Sequence, residues 1–155
     1  MLPQQPSLRY VQEEAQSAQR DDHHVRMLTR TNSINFYDEI ASQYQKAFEN
    51  EPIQLPVILP DVVSAYHLYI ILLPIGVTPL DKSIFFDAML DAGVGVNVHY
   101  IPIHTQPYYK ALGFRVGDFP VAEDFYSRAI SLPLFPTLKD YEINQVIISV
   151  KALMG

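Results

Sequence analysis

The sequence predicts an α/β (α+β) domain, a two-layer sandwich in which a small sheet carries helices packed on it. Two observations point there. Amphipathic helical stretches alternate with short apolar runs in the order α-β-α-β-α-β-α, along 155 residues that suffice for one real core. Hydrophobic residues make up 48% of the chain against 18% charged, the balance of a globular protein and not of a disordered one.

Residues 1–27 are rich in Gln, Ser and charge, and they read as a poorly ordered or atypical arm with one short helix around Tyr10–Arg20. The globular part is expected over residues 28–155. Tyr37, Ile40, Ala41, Tyr44 and Phe48 recur at helical spacing, with Asp38, Glu39, Gln45 and Lys46 opposite, and Pro52 ends that helix. Ser64–Leu73 holds Tyr, Ile and Leu without Gly or Pro and reads as a strand buried on both faces. Thr78, Pro79 and Asp81 resemble a helix start, Ile84, Phe85, Ala88, Met89 and Ala92 its inward face, and Gly93 its left-handed end.

Val94–Ile101 alternates, with Val94, Val96, Val98 and Tyr100 on one face and Gly95, Asn97, His99 and Ile101 on the other, until Pro102 stops it. A short helical turn is expected at Tyr108–Leu112, closed by Gly113, and a helix from Pro120 through Arg128. Ile130, Leu132 and Leu134 then alternate around Pro133, which suggests a strand at a sheet edge. Thr137 and Asp140 resemble a helix cap, followed by a buried stripe of Ile143, Ile147, Val150 and Met154. Pattern alone leaves the strand directions open.

Composition narrows the function classes. A net charge of −6 without a lysine/arginine cluster argues against a nucleic-acid surface. The absence of cysteine excludes disulfides, zinc-thiolate sites and thiol nucleophiles. The longest apolar run, Leu68–Pro74, is too short to span a bilayer, and residues 1–27 hold no apolar leader core. No membrane partner and a cytoplasmic location are therefore the expectation.

The chemistry-bearing candidates cluster at one strand end. His99 and His104 bracket the segment Tyr100-Ile101-Pro102-Ile103, with Gln106, Tyr108 and Tyr109 nearby. Imidazole, phenol and amide groups on a proline-braced loop suit hydrogen bonding to a polar ligand such as a sugar or a phosphate. The competing reading makes both histidines structural. His67, alone in a strand, reads as a structural hydrogen-bonder, and His23 and His24 as solvated. No third ligand stands at metal-site spacing, so no metal is expected. Gly93-Val94-Gly95-Val96-Asn97 lacks a third glycine and precedes a strand, so it is no dinucleotide fingerprint. Asp118 and Glu123 stand singly where helix capping explains them. If His104 belongs to a ligand loop, its side chain should project from the core, and its removal should change stability by less than about 1 kcal/mol.

The run Asn97-Val98-His99-Tyr100-Ile101-Pro102-Ile103-His104-Thr105-Gln106-Pro107-Tyr108-Tyr109 resembles a signature of the DegT/DnrJ sugar aminotransferases. So do Leu112-Gly113-Phe114, Gly117-Asp118-Phe119-Pro120, Ala122-Glu123 and the stretch Ala129–Pro136, and Ser64–Tyr69 is similar to the family's first small-domain strand. The likeness covers about Leu28 to Gly155 and lies nearest the subgroup acting on UDP-linked 4-keto-6-deoxy-hexosamines in the pseudaminic acid pathway.

The resemblance implies the small C-terminal domain of a fold-type I enzyme that uses pyridoxal phosphate (PLP) to move an amino group, usually from glutamate, onto a nucleotide-linked keto sugar. It implies substrate contact for His99, Tyr100, Ile101, Pro102 and His104. PLP needs a Schiff-base lysine and an acid for its ring nitrogen. The family carries both in its large domain, and Lys46, Lys82, Lys110, Lys139 and Lys151 all lack the family's S-x-x-K type of context. PLP is thus expected in the full-length family and no cofactor in this chain alone. Lys82 stands where relatives commonly have arginine, which implies only a changed surface contact. The implied partners are the nucleotide sugar and a missing large domain or homodimer partner. Tyr37, Tyr44 and Phe48 are candidates for the exposed docking face. Three readings follow: a fragment of such an enzyme, inactive alone; a stand-alone non-catalytic binding module; or a small independent enzyme using the histidines.

Overall fold

A computed structural model describes residues 36–74 and 81–155. The N-terminal arm with its boundary at residues 27 and 28, the helix at Tyr10–Arg20, His23, His24 and the Thr78–Pro79 helix start lie outside the described residues. From Tyr37 to Gly155 the chain forms one compact unit.

Helix α1, residues 36–48, buries Ile40, Ala41, Tyr44 and Phe48 along one stripe. The Tyr44 ring lies 5.9 Å from Phe48 and 5.2 Å from Tyr69, and its hydroxyl donates to the Pro133 carbonyl at 2.9 Å. Burial pushes the Tyr44 phenol above its ordinary range. Tyr44 and Phe48 are therefore core residues, contrary to their expected place on an open docking face, whereas Tyr37 is half-buried. Aromatic area of this size is more stable inside than in water.

The sheet is a pair. Strand β1, Tyr69–Leu72, runs antiparallel to β2, Ala129–Leu132, with Tyr69 opposite Leu132 and Leu72 opposite Ala129. Single bridges extend it on both sides, Gln54 to Leu72 and Asn97 to Ser131. Strand β2 is thus flanked on both sides and wholly buried, and not at the edge suggested by Pro133. That proline follows the last paired residue, so its missing N–H costs the ladder nothing. Strand β1 is shorter than Ser64–Leu73 and buries only Tyr69 and Ile71 fully. Its other face, with Ile70 and Leu72, looks onto an open groove bordered by Leu55, Val57 and Phe125, which is why it is half-buried.

Helix α2, Lys82–Asp91, is capped by Asp81, whose carboxylate accepts from the Ser83 N–H at 3.2 Å. It buries Phe85 and Met89 but leaves Ile84 53% exposed and Ala92 exposed, a narrower inward face than the sequence suggests. Its end is as expected. Gly93 sits at φ +76°, and the N–H groups of Gly93 and Val94 donate to Leu90 and Met89, closing a left-handed cap. The strand expected over Val94–Ile101 does not form: only Asn97 pairs, as a single bridge to Ser131. Although Val94 and Val96 point inward, the alternation fades at half-buried Val98 and exposed Tyr100.

Helices α3, Pro107–Ala111, and α4, Pro120–Arg128, agree with the sequence reading to within two residues. Helix α5, Asp140–Met154, starts at Lys139 instead of Thr137, because Glu142 reaches back to the Lys139 N–H at 2.8 Å. It buries Ile143, Val146, Val150 and Met154, with Ile147 half-buried. Helix α2 packs on α5 and α4 on β1, so helices and sheet form the small α+β fold that the sequence predicts. No described helix is long and apolar enough to cross a membrane.

Candidate functional site

Past Asn97 the chain leaves the sheet and forms a rim between β2 and α4. His99 is half-buried, and its Nδ1 lies 2.7 Å from Oγ of Ser131 on β2. Tyr100 is 74% exposed and its ring meets His99 edge-on. Ile101 is exposed and Pro102 half-buried. The turn Ile103–Thr105 follows, fixed by the Thr105 N–H and hydroxyl, which both donate to the Pro102 carbonyl.

His104 does not project outward. It is 7% exposed, its Nε2 lies 2.8 Å from the Glu123 carboxylate, and its ring packs 4.8 Å from Phe119. The expectation of a free loop side chain is corrected here: a turn of 3₁₀ helix rotates the imidazole back toward α4. His67, read as a structural hydrogen-bonder, is exposed two residues before β1.

Glu123 does more than cap α4. Its carboxylate also accepts from the N–H groups of Gly117 at 2.8 Å and Phe119 at 3.4 Å. The Gly117 bond, against an opposing cost of desolvation and helped by His104 and Phe119, holds the carboxyl below its ordinary range. The folded state thus gives up this proton at lower pH than the unfolded chain. The resulting stability is present above the ordinary carboxylate range and is lost as pH falls through the folded value. Glu123→Gln should flatten this acid limb of a denaturant-stability curve measured against pH. An unchanged limb would show that the carboxylate contributes no linkage.

Two clefts open on this rim. One, of about 620 Å³, is lined by His99, Tyr100, Pro102, Asp118, Phe119, Pro120, Val121, Ala122 and Phe125. The second, of about 360 Å³, holds Pro102, Ile103, His104, Tyr109, Phe114, Phe119 and Ala122. The first brings together His99, Tyr100 and Pro102 of the expected contact residues, and the second Pro102 and His104. Ile101 lines neither. Apolar walls with a few polar groups at their margin suit a ligand that is part ring and part polar. Ser131, Glu123, Phe119, Ala122 and Phe125 were not legible as site residues. The available signal was Ser131, a hydroxyl set within the apolar run Ile130–Leu132.

No lysine reaches these clefts. Lys46 and Lys110 are exposed, Lys139 precedes α5, and Lys151 pairs with Glu51 at 3.4 Å. Half-buried Lys82 donates to the Tyr126 carbonyl and lies 3.9 Å over its ring, where desolvation lowers its pKa. It caps the C-terminal end of α4, a firmer contact than a simple surface one. None of the five lysines therefore stands in the two clefts beside the expected contact residues, where a PLP aldimine would have to form. Among the described residues, no three His, Asp or Glu side chains gather as metal ligands.

Part of the exposed apolar surface of the described residues lies on this side of the molecule. It includes Ile103, Tyr108, Leu112, Val116 and Val121, each more than half exposed.

Residues 25–151 match the DegT/DnrJ/EryC1/StrS aminotransferase family. The spore coat polysaccharide biosynthesis protein SpsC of Bacillus subtilis is 36% identical over 120 residues, which are 76% of this chain and 31% of SpsC. The chain spans about a third of the length of the curated relatives it matches. Among solved structures, the PLP form of Spr1654 from Streptococcus pneumoniae superposes with a TM-score of 0.76 and 27% identity, over 84% of this chain and 33% of that one. Helicobacter pylori PseC, an aminotransferase involved in the biosynthesis of pseudoaminic acid, gives 0.73 and 27%, over 83% and 34%.

Proposed function

Because the chain belongs to the DegT/DnrJ/EryC1/StrS aminotransferase family, we propose that it is the small C-terminal domain of a PLP-dependent sugar-nucleotide aminotransferase. The reaction is amino transfer, with glutamate as donor, to a UDP-linked 4-keto-6-deoxy sugar in cytoplasmic synthesis of a surface glycan such as pseudaminic acid. The observation that carries this reading is the rim of His99, Tyr100 and Pro102 over an apolar cleft, on residues that match the family. PseC and SpsC, whose names place them in sugar and surface-polysaccharide biosynthesis, support the substrate class.

PLP supplies the amino-transfer chemistry when bound to the complete enzyme, through a lysine that lies outside this chain. The residues present here bind and orient the sugar nucleotide. Tyr100 and His99 offer hydrogen bonds at the cleft margin, while Phe119, Val121 and Phe125 exclude water. The exposed apolar belt from Ile103 to Val121 faces the rest of the enzyme.

Borohydride reduction of the isolated chain with PLP, followed by mass spectrometry, tests the division of labour. The expected result is scattered low-level labelling. One stoichiometric phosphopyridoxyl-lysine would overturn it. A stand-alone binding module remains the outcome if the chain binds nucleotide sugar yet supports no transfer with any lysine-bearing partner.

A further inference from the structure

Ser131 is a polar residue in the most buried strand of the molecule. It is 4% exposed, and all four residues of β2 are buried. Its backbone is fixed from both sides, opposite Ile70 of β1 and doubly bonded to Asn97, N–H to carbonyl in each direction at 2.8 and 3.1 Å. That bridge sets the register of the segment leading to the rim, so the residue two positions beyond Asn97, His99, returns over the Ser131 side chain. The contact between Ser131 Oγ and His99 Nδ1 is 2.7 Å, and among the described residues the hydroxyl has no other partner.

This isolation decides the direction of the bond. A serine hydroxyl has one proton to place, and the imidazole nitrogen is the available acceptor. If Nδ1–H donated instead, the hydroxyl proton would be buried without an acceptor, which is unfavourable. The hydroxyl therefore donates, Nδ1 carries no proton, and the neutral ring holds its proton on Nε2. His99 lines the larger cleft, and with Nδ1 occupied, Nε2 is the nitrogen left for a ligand.

We infer that Ser131 is a positioning residue that fixes the orientation and tautomer of His99, so that His99 presents a hydrogen-bond donor to an oxygen acceptor in the cleft, of the kind a sugar or phosphate oxygen supplies. The identity of the acceptor rests on the sugar-nucleotide reading above, whereas the tautomer does not. A bond made from the sheet behind the cleft holds the ring before ligand arrives, which lowers the ordering cost of binding. Packing does not call for a hydroxyl here, since Ile130 and Leu132 fill the apolar positions on either side.

The test uses the full 155-residue chain, labelled with ¹⁵N, at a pH where histidine is neutral. Two-bond proton–nitrogen correlation spectra should show His99 with a pyridine-type Nδ1 and a pyrrole-type Nε2. In Ser131→Ala those ring signals should move, as the Nδ1 bond is lost and a second tautomer becomes populated. A protonated Nδ1 in the unaltered protein overturns the inference, and this measurement needs no variant to fold. Ring signals that superimpose in Ser131→Ala overturn it as well.

Titration with UDP-N-acetylglucosamine supplies the second readout. Ser131→Ala should weaken binding about three- to tenfold and His99→Ala at least as much, while the double variant should be no weaker than His99→Ala alone. Additive losses would mean that Ser131 does not act through His99. If the tautomer is as inferred but the probe binds neither the unaltered chain nor its mixture with the remaining part of a relative such as SpsC, the sugar-nucleotide reading falls and the positioning role of Ser131 stands.

Discussion

Replacing Tyr44 with Ala should cost about 3–5 kcal/mol of folding stability, the range for deleting a fully buried aromatic side chain. The ring is 0% exposed and contacts Phe48 and Tyr69, and its hydroxyl satisfies the Pro133 carbonyl. Removal leaves a cavity between α1 and the sheet and an unpaired carbonyl at the exit of β2. Tyr44→Phe keeps the ring and loses one hydrogen bond, so it should cost only ~1 kcal/mol. Urea melts of the two variants separate these contributions. A cost below about 1 kcal/mol for the alanine variant would mean that α1 is not docked in the core. The outcome bears on function because the Tyr44 hydroxyl bonds the residue that follows β2, the strand that carries Ser131.

His104→Ala comes next in size. The imidazole is buried, bonded to Glu123 and packed on Phe119. Its loss should lower stability by ~1–3 kcal/mol, the cost of breaking a buried hydrogen-bond network. That exceeds the limit of about 1 kcal/mol expected for a free loop side chain. The effect should extend beyond stability. Glu123 ties the loop through Gly117 and Phe119 to the turn at Ile103–Thr105, and Phe119 and Pro102 wall both clefts. In a complete enzyme the same change should raise KM for the nucleotide sugar. Raised KM with unchanged stability would place His104 in direct contact with ligand instead.

The helices were legible in the sequence because their signals are local. Pro120 and Arg128 bound α4, and Gly93 takes the positive φ that its place after an apolar stripe required. The errors arise where a position is decided by distant partners. Pro133 suggested an edge strand, yet β2 is flanked at Leu72–Tyr69 and at Asn97, segments far away in sequence. The docking-face expectation for Tyr44 and Phe48 follows from the implied large domain, whereas Tyr44 packs on Tyr69 and bonds Pro133, partners distant in sequence, and Phe48 is buried beside it.

The site was legible in the same uneven way. The segment His99-Tyr100-Ile101-Pro102, expected at a strand end, forms a rim over the larger cleft with Ile101 outside its lining, although only Asn97 pairs with the sheet. The burial of His104 depends on Glu123, 19 residues away, and the orientation of His99 on Ser131, 32 residues away. Both are side-chain pairs made across elements, to which periodicity is blind.

The central claim is that this chain supplies the substrate-facing wall of an amino-transfer site whose lysine lies on other sequence. Reconstitution addresses it most directly. The purified chain would be mixed with the remaining part of a relative such as SpsC, together with PLP, glutamate and a UDP-linked 4-keto sugar. Formation of the amino sugar would then be followed by mass spectrometry. Product should form in the mixture and with neither component alone, and it should fall when His99 is replaced by Ala. Product from this chain alone, or a mixture no more active than the relative's part by itself, would contradict the claim.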